Sequence, residues 1–192
     1  GAKLIDFAGF NMPVEYSGVK DEHITVRKKV GIFDVSHMGE FWISGPQAYD
    51  LLQKVSANDA AKLKPGKAQY TCLPNGKGGL VDDFLVYQYD EQKYMVVVNA
   101  SNIEKDWNWF RQQNTMNAEM EDASDRMSLL AVQGPKALAT LEKLTSEDLA
   151  NMKPFRFKIG SLAGADDVII SATGYTGEPG FELYCYNEHA EK

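Results

Sequence analysis

Cysteine occurs only twice in 192 residues, at Cys72 and Cys185, so no disulfide framework organises the chain. Each lies in an apolar, strand-like run and is expected to be a buried, reduced thiol. Histidine is nearly as scarce: His23, His37 and His189 are scattered, with no acid or cysteine at ligand spacing, which argues against a metal site. No apolar run approaches the ~20 residues of a membrane span, and the start lacks the basic and apolar regions of a signal peptide. A cytosolic protein is the expectation, although a cleaved mitochondrial presequence would leave no trace. Lysine and arginine are not clustered and the net charge is −7, so binding to a phosphate backbone is not the main task and no nucleic acid partner is expected. The glycine turns PNGKGG and GYTGEPG lack the GK[ST] of a P-loop and the GxGxxG of a dinucleotide fold, so neither is a phosphate cradle.

What the chain does have is apolar material, 44% of its residues, enough for one large domain or two small ones. EFWISG (Glu40 to Gly45), AQYTCLP (Ala68 to Pro74), LVDDFLVYQY (Leu80 to Tyr89) and KYMVVVN (Lys93 to Asn99) are rich in β-branched and aromatic residues and bounded by turns, the pattern of strands. Short connections such as NGKGG and DEQK imply antiparallel hairpins. Ser101 with Glu104 three residues on predicts a capping box opening the helix SNIEKDWNWFRQQ, whose WNWF packs a helix face on a sheet. Pro46 and Pro135 predict helices at first-turn positions. The mixture is α+β rather than alternating βαβ. GPQAYDLLQKVS from Gly45 and GPKALATLEKLT from Gly134 echo one another after a strand, which suggests two related subdomains.

Two places carry candidate chemistry. In GYTGEPGFELY (Gly174 to Tyr184) three glycines and a proline force a tight turn, and the strand that follows holds Glu182 between Phe181 and Leu183. An unpaired buried carboxylate is costly, so Glu182 calls for a partner bringing hydrogen-bond donors; the structural alternative is a half-exposed strand glutamate paired with a lysine. Asp82 and Asp83 sit in an apolar strand and point to opposite faces, so only one can face a given cleft; the alternative is an exposed edge or a turn cap. Asn99 ends an apolar strand, where a turn role is the plain reading. His37 is expected to support its strand rather than act on a substrate.

These blocks, with DFAGFNMPVEY (Asp6 to Tyr16), FDVSHMGEF (Phe33 to Phe41), GGLVDDFLVY (Gly78 to Tyr87) and VVNASN (Val97 to Asn102), resemble in order and spacing the aminomethyltransferases, the T-proteins of the glycine cleavage system. The resemblance implies an α+β fold of antiparallel sheets flanked by helices, with two subdomains of the folate-binding T-protein fold. It implies a discontinuous first domain, residues 1–34 plus 126–192 and incomplete, with a second domain, 35–125, inserted into it. T-proteins are about twice as long, so the chain looks like a fragment without the C-terminal barrel, inactive alone.

The activity implied is tetrahydrofolate-dependent transfer of an aminomethyl carbon from the lipoyl arm of the carrier H-protein, releasing ammonia and forming 5,10-methylenetetrahydrofolate. Tetrahydrofolate is then a co-substrate and the lipoylated H-protein a partner, with no membrane and no metal. By the same resemblance Asp83 is the catalytic carboxylate, its neighbour Asp82 being the less critical of the two. Glu182 accepts the two parallel donors of the pterin edge, and Asn99, Val97 and Met38 line the folate channel with Tyr175 beside them. Met95 stands where some members have tyrosine. The location implied is the cytoplasm of a bacterium or the mitochondrial matrix of a eukaryote. Three rivals share the fold: the folate-binding domain of dimethylglycine or sarcosine oxidising enzymes, a non-enzymatic folate-binding iron–sulfur assembly factor, and a folate-dependent demethylase of sulfonium compounds. The first follows a flavin domain and the second carries a glycine–cysteine motif; neither feature occurs here.

Overall fold

The computed structural model describes residues 1–192. In chain order the strands and helices are β1 (Lys3–Phe7), β2 (Phe10–Glu15), α1 (Val19–Lys28), β3 (Gly31–Asp34), β4 (Gly39–Ser44) and α2 (Ala48–Val55). They continue with β5 (Lys67–Pro74), β6 (Leu80–Asp90), β7 (Lys93–Val98), α3 (Ile103–Gln113), β8 (Glu119–Asp122) and β9 (Met127–Gln133). Last come α4 (Ala137–Leu141), β10 (Phe157–Leu162), β11 (Ala165–Ser171) and β12 (Gly180–Tyr186). The chain divides into two compact units: a first of residues 1–37 and 128–192, and a second of residues 38–127. No helix is long and apolar enough to cross a membrane.

The second unit is a five-stranded sheet in the order β5-β6-β7-β4-β8, with its recorded pairs antiparallel. Alternation sorts the side chains by face: Phe41 and Ile43 on β4, Phe84 and Val86 on β6, and Tyr94, Val96 and Val98 on β7 point into one core cluster, while Trp42, Tyr87, Met95 and Val97 are buried on the other face. Helix α2 answers with Ala48, Leu51, Leu52 and Val55, and α3 with Ile103, Trp107 and Phe110, both at helical spacing. Phe110 meets Phe41 and Phe84 edge-on, with ring centroids 6.2 and 5.6 Å away. Each such side chain, fully buried, contributes ~1.5–3 kcal/mol.

The first unit holds a five-stranded sheet in the order β10-β11-β12-β9-β3 and the separate β1–β2 hairpin. Val132, Val168, Ile170, Phe181 and Leu183 form its core under Ala137 and Leu141 of α4. The two sheets share one plan. A strand (β4 or β9) leaves through a Gly-Pro turn into a helix (α2 or α4), and a three-stranded meander then returns so that its last strand lies beside the first. Gly45 and Gly134 open these turns with φ of 90° and 128°. At Gly134 a Cβ would also lie 2.6 Å from the carbonyl oxygens of Lys29 and Val26, so no other residue fits. The echo seen in the sequence is therefore the shared start of two copies of one topology.

Three local expectations change. Helix α3 begins at Ile103 rather than Ser101, behind a single 3-10 turn at Ala100–Asn102, and no side chain caps it. Pro46 and Pro135 lie in the turn ahead of their helices, which start at Ala48 and Ala137. Both cysteines are free, but Cys72 is only half-buried because β5 is an edge strand of its sheet.

Candidate functional site

The second unit gathers its polar groups where β6 begins and β7 ends. The register sets Phe84 against Val98, so the next residues along, Asp83 and Asn99, meet at the sheet's end. Asn99 Nδ2 donates to Asp83 Oδ1 at 2.9 Å and to Asp82 Oδ1 at 3.0 Å, touching both acids although their side chains leave opposite faces. On Asp83's face, Tyr70 of β5 donates its phenol O–H to Asp83 Oδ2. Tyr70 pairs with Leu85, and Leu85 with Val97, so these residues share that face with Asp83. Val97 is buried, and Met38 is half-buried in the bend ahead of β4, without a hydrogen bond to the acids.

Asp82 faces α3. Its Oδ1 also accepts the Asp83 backbone N–H at 2.8 Å, while Oδ2 accepts Asn102 Nδ2 at 2.6 Å and lies 3.4 Å from Lys105 Nζ. Burial works against its ionisation, but the Asp83 N–H, a hydrogen bond with Asp106 and the Asn102 and Asn99 amides outweigh it and hold the carboxyl down at about 2. Asp106 is fully buried; neither oxygen accepts a hydrogen bond, although Oδ1 lies 3.9 Å from Lys105 Nζ. Burial first, then the hydrogen bond to Asp82 and that residue's charge, push it up to about 7 against the pull of Lys105. In its neutral form Asp106 can donate to Asp82. Glu40 on β4 is a second buried acid, with both oxygens unpartnered; burial and the nearby Asp122 charge raise it to about 8.

In the first unit the segment 172–179 between β11 and β12 is built around Gln133 of β9. Its buried carboxamide donates to Thr173 O and Phe181 O, both at 3.2 Å, and accepts from Thr176 Oγ1 at 2.9 Å. Gly174 passes so close that a Cβ there would lie 2.1 Å from Gln133 Oε1, which explains a glycine where φ alone does not demand one. Arg27 pairs with Glu178 at 2.7 Å on the outside of the turn. Tyr175 stands fully exposed at its tip. Glu182, on β12, is largely buried; its Oε2 accepts the hydroxyls of Thr173 and, at 3.5 Å, of Tyr184, and Oε1 receives neither. Burial raises its carboxyl above the ordinary range, with the two hydroxyls opposing.

Of the residues singled out from the sequence, Asp83 and Asn99 are bonded directly, Val97 shares their sheet, and Glu182 and Tyr175 flank one turn. Sequence reasoning missed Tyr70, Asn102, Lys105, Asp106 and Gln133. His37 packs edge-on to Phe7 and Phe10, with centroids 5.6 and 6.3 Å away, and burial lowers its basicity against the pull of Asp34. A mainly apolar recess of about 420 Å³ in the first unit is bounded by Leu141, Leu144, Val168, Leu183 and Cys185, with Thr140, His189, Glu191 and Lys192 also on its lining.

Relatives carry a similar chain. It is 62% identical over 192 residues to an aminomethyltransferase of Bacteroides fragilis and 61% identical to one of Porphyromonas gingivalis, covering all of this chain and 53% of each relative. It therefore spans about half the length of the curated relatives it matches. The crystal structure of glycine cleavage system aminomethyltransferase T from Bartonella henselae superposes with a TM-score of 0.90 at 33% identity, over 100% of this chain and 52% of that one. A heterotetrameric sarcosine oxidase from Corynebacterium shares the fold, at a TM-score of 0.61 and 15% identity over 90% of this chain and 85% of that one. The GCVT N-terminal domain family matches residues 1–192 from end to end, and the chain belongs to that family.

Proposed function

We propose that the protein is a tetrahydrofolate-dependent aminomethyltransferase of glycine cleavage, working in the cytoplasm. It would move the aminomethyl carbon from the lipoyl sulfur of the carrier H-protein to tetrahydrofolate. Two bonds to the carbon break, to sulfur and to the amino nitrogen, and two form, to N5 and N10 of the folate. The N5 and N10 protons leave with the thiol and the ammonia. In this reading Asp83, fixed by Tyr70 and Asn99, orients the acceptor nitrogen and stabilises the positive charge that grows on it. Asn99 and Val97 belong to the same site, with Met38 as apolar wall. Glu182 reads the pterin through its N3–H and 2-amino donors, and Tyr175 covers that end.

The observation that carries the folate reading is Glu182 itself. It is a carboxyl driven up by burial, with hydroxyl donors on one oxygen only. A ligand bringing two parallel N–H donors supplies what the site lacks, in a fork geometry specific to such an edge. Glu182→Gln replaces an acceptor by an NH₂ facing a donor and is expected to weaken tetrahydrofolate binding by roughly 30- to 1000-fold, on the order of 2–4 kcal/mol. Calorimetric titration alongside thermal unfolding tests this. A variant with a lowered melting temperature and unchanged affinity removes Glu182 from the site.

A further inference from the structure

Asp82 does not behave as the spare member of the Asp82–Asp83 pair. Four donors converge on its carboxylate: the Asp83 N–H and Asn99 Nδ2 on Oδ1, and Asn102 Nδ2 and Lys105 Nζ on Oδ2. Lys105 is itself tied down by donating to Val81 O at 2.8 Å. Asp106 stands behind the same carboxylate, its Oδ1 3.9 Å from the same Lys105 Nζ. A carboxylate can accept on both oxygens at once; a carboxamide can accept on only one. Nothing but an ionised acid satisfies all four donors.

Asn99 gives this arrangement a consequence for its neighbour. A carboxamide can flip, exchanging its NH₂ and its oxygen, and the flip is decided by what each end meets. Here both acids call for the NH₂ end: Asn99 Nδ2 lies 3.0 Å from Asp82 Oδ1 and 2.9 Å from Asp83 Oδ1, and 3.3 Å from Asp83 O. The oxygen is thereby turned away from the acids as a free-standing acceptor. We infer that Asp82 is a positioning residue for the reacting carboxylate: by holding the Asn99 carboxamide in one flip, and the Asp83 backbone N–H directly, it fixes where Asp83 points and which end of Asn99 a ligand meets. The inference rests on Asp83 being the carboxylate that serves the reaction.

Asp82→Asn preserves shape but puts an NH₂ against either the Asn99 pair or the Asn102 and Lys105 pair. In the first case Asn99 gains by turning its oxygen toward position 82, and Asp83 loses its amide donor. The expected result is a 10- to 100-fold fall in kcat for tetrahydrofolate-dependent ammonia release, with a smaller change in KM. A double-mutant cycle separates positioning from general damage. Added to Asp83→Asn, the Asp82→Asn change is expected to lower the remaining rate by less than 2-fold, because there is no longer a carboxylate to aim. Asn99→Ala provides the second variant: it removes the strut without disturbing the Asn102 and Lys105 side, and Asp82→Asn added to it should again cost little. Asp82→Asn with full kcat, or with the same multiplicative loss in all three backgrounds, overturns the positioning role. A harmless Asp83→Asn would instead remove the reading on which it rests.

Discussion

Glu40 sits fully buried on β4 with both carboxyl oxygens unpartnered and its pKa lifted from 4.5 to about 8, first by burial and then by the Asp122 charge. An acid that binds its proton more tightly when folded than when unfolded leaves stability untouched below about pH 4, and withdraws it as the pH climbs toward about 8. The slope is about 1.4 kcal/mol per pH unit, so Glu40 removes ~3 kcal/mol between about pH 5 and about pH 7. That is a large share of the ~5–15 kcal/mol that holds a domain together. Glu40→Gln keeps the shape and cannot ionise, while its NH₂ adds unsatisfied donors that cost about 1–3 kcal/mol at every pH. The two stability curves should therefore cross: the variant is the weaker protein near pH 5 and the stronger near pH 8. Asp106, raised to about 7, leaves a residual slope of the same sign in both. Urea unfolding at four pH values across this range measures it, and parallel curves for the two proteins would refute the reasoning.

Two further outcomes follow from packing. Phe110→Ala empties the meeting point of α3 with β4 and β6 and is expected to lower stability by about 3–5 kcal/mol, read by denaturant midpoint. Gly174→Ala drives a methyl into the Gln133 carboxamide; it should break the bonds to Thr173, Phe181 and Thr176 and weaken tetrahydrofolate binding at least 10-fold, a loss that Gln133→Ala in the same chain should relieve in part.

The strands of the second unit were legible because EFWISG and KYMVVVN are short runs rich in β-branched and aromatic residues and bounded by turns; both faces of β4 and β7 are buried, so no alternation announced which one meets the helices. The start of α3 was not. Ser101 and Glu104 have capping-box spacing, yet the chain first makes a 3-10 turn whose Asn102 gives its side chain to Asp82, so a distant acid outbids the local cap. Tyr70 has the look of strand packing, and only its register against Leu85 puts the phenol beside Asp83. Asp106 lies in the first turn of α3, where an exposed acid is the ordinary reading; its burial depends on how α3 meets β6. Glu182 could be singled out as an acid set between Phe181 and Leu183 after a glycine-rich turn, and Asn99 as the polar end of an apolar run, but which donors surround them is a tertiary fact.

The proposed activity is tested most directly by ammonia release from aminomethyl-loaded H-protein by the full-length protein, with and without tetrahydrofolate, for wild type and Asp83→Asn. The amide is nearly isosteric and keeps one acceptor, but it has no charge to set against the nitrogen cation. Release is expected to depend on tetrahydrofolate in the wild type and to fall by at least 100-fold in the variant, with the melting temperature little changed, ~3 kcal/mol of lost transition-state stabilisation. Wild-type turnover at the same rate without folate, or an Asp83→Asn enzyme at full rate, would contradict that expectation.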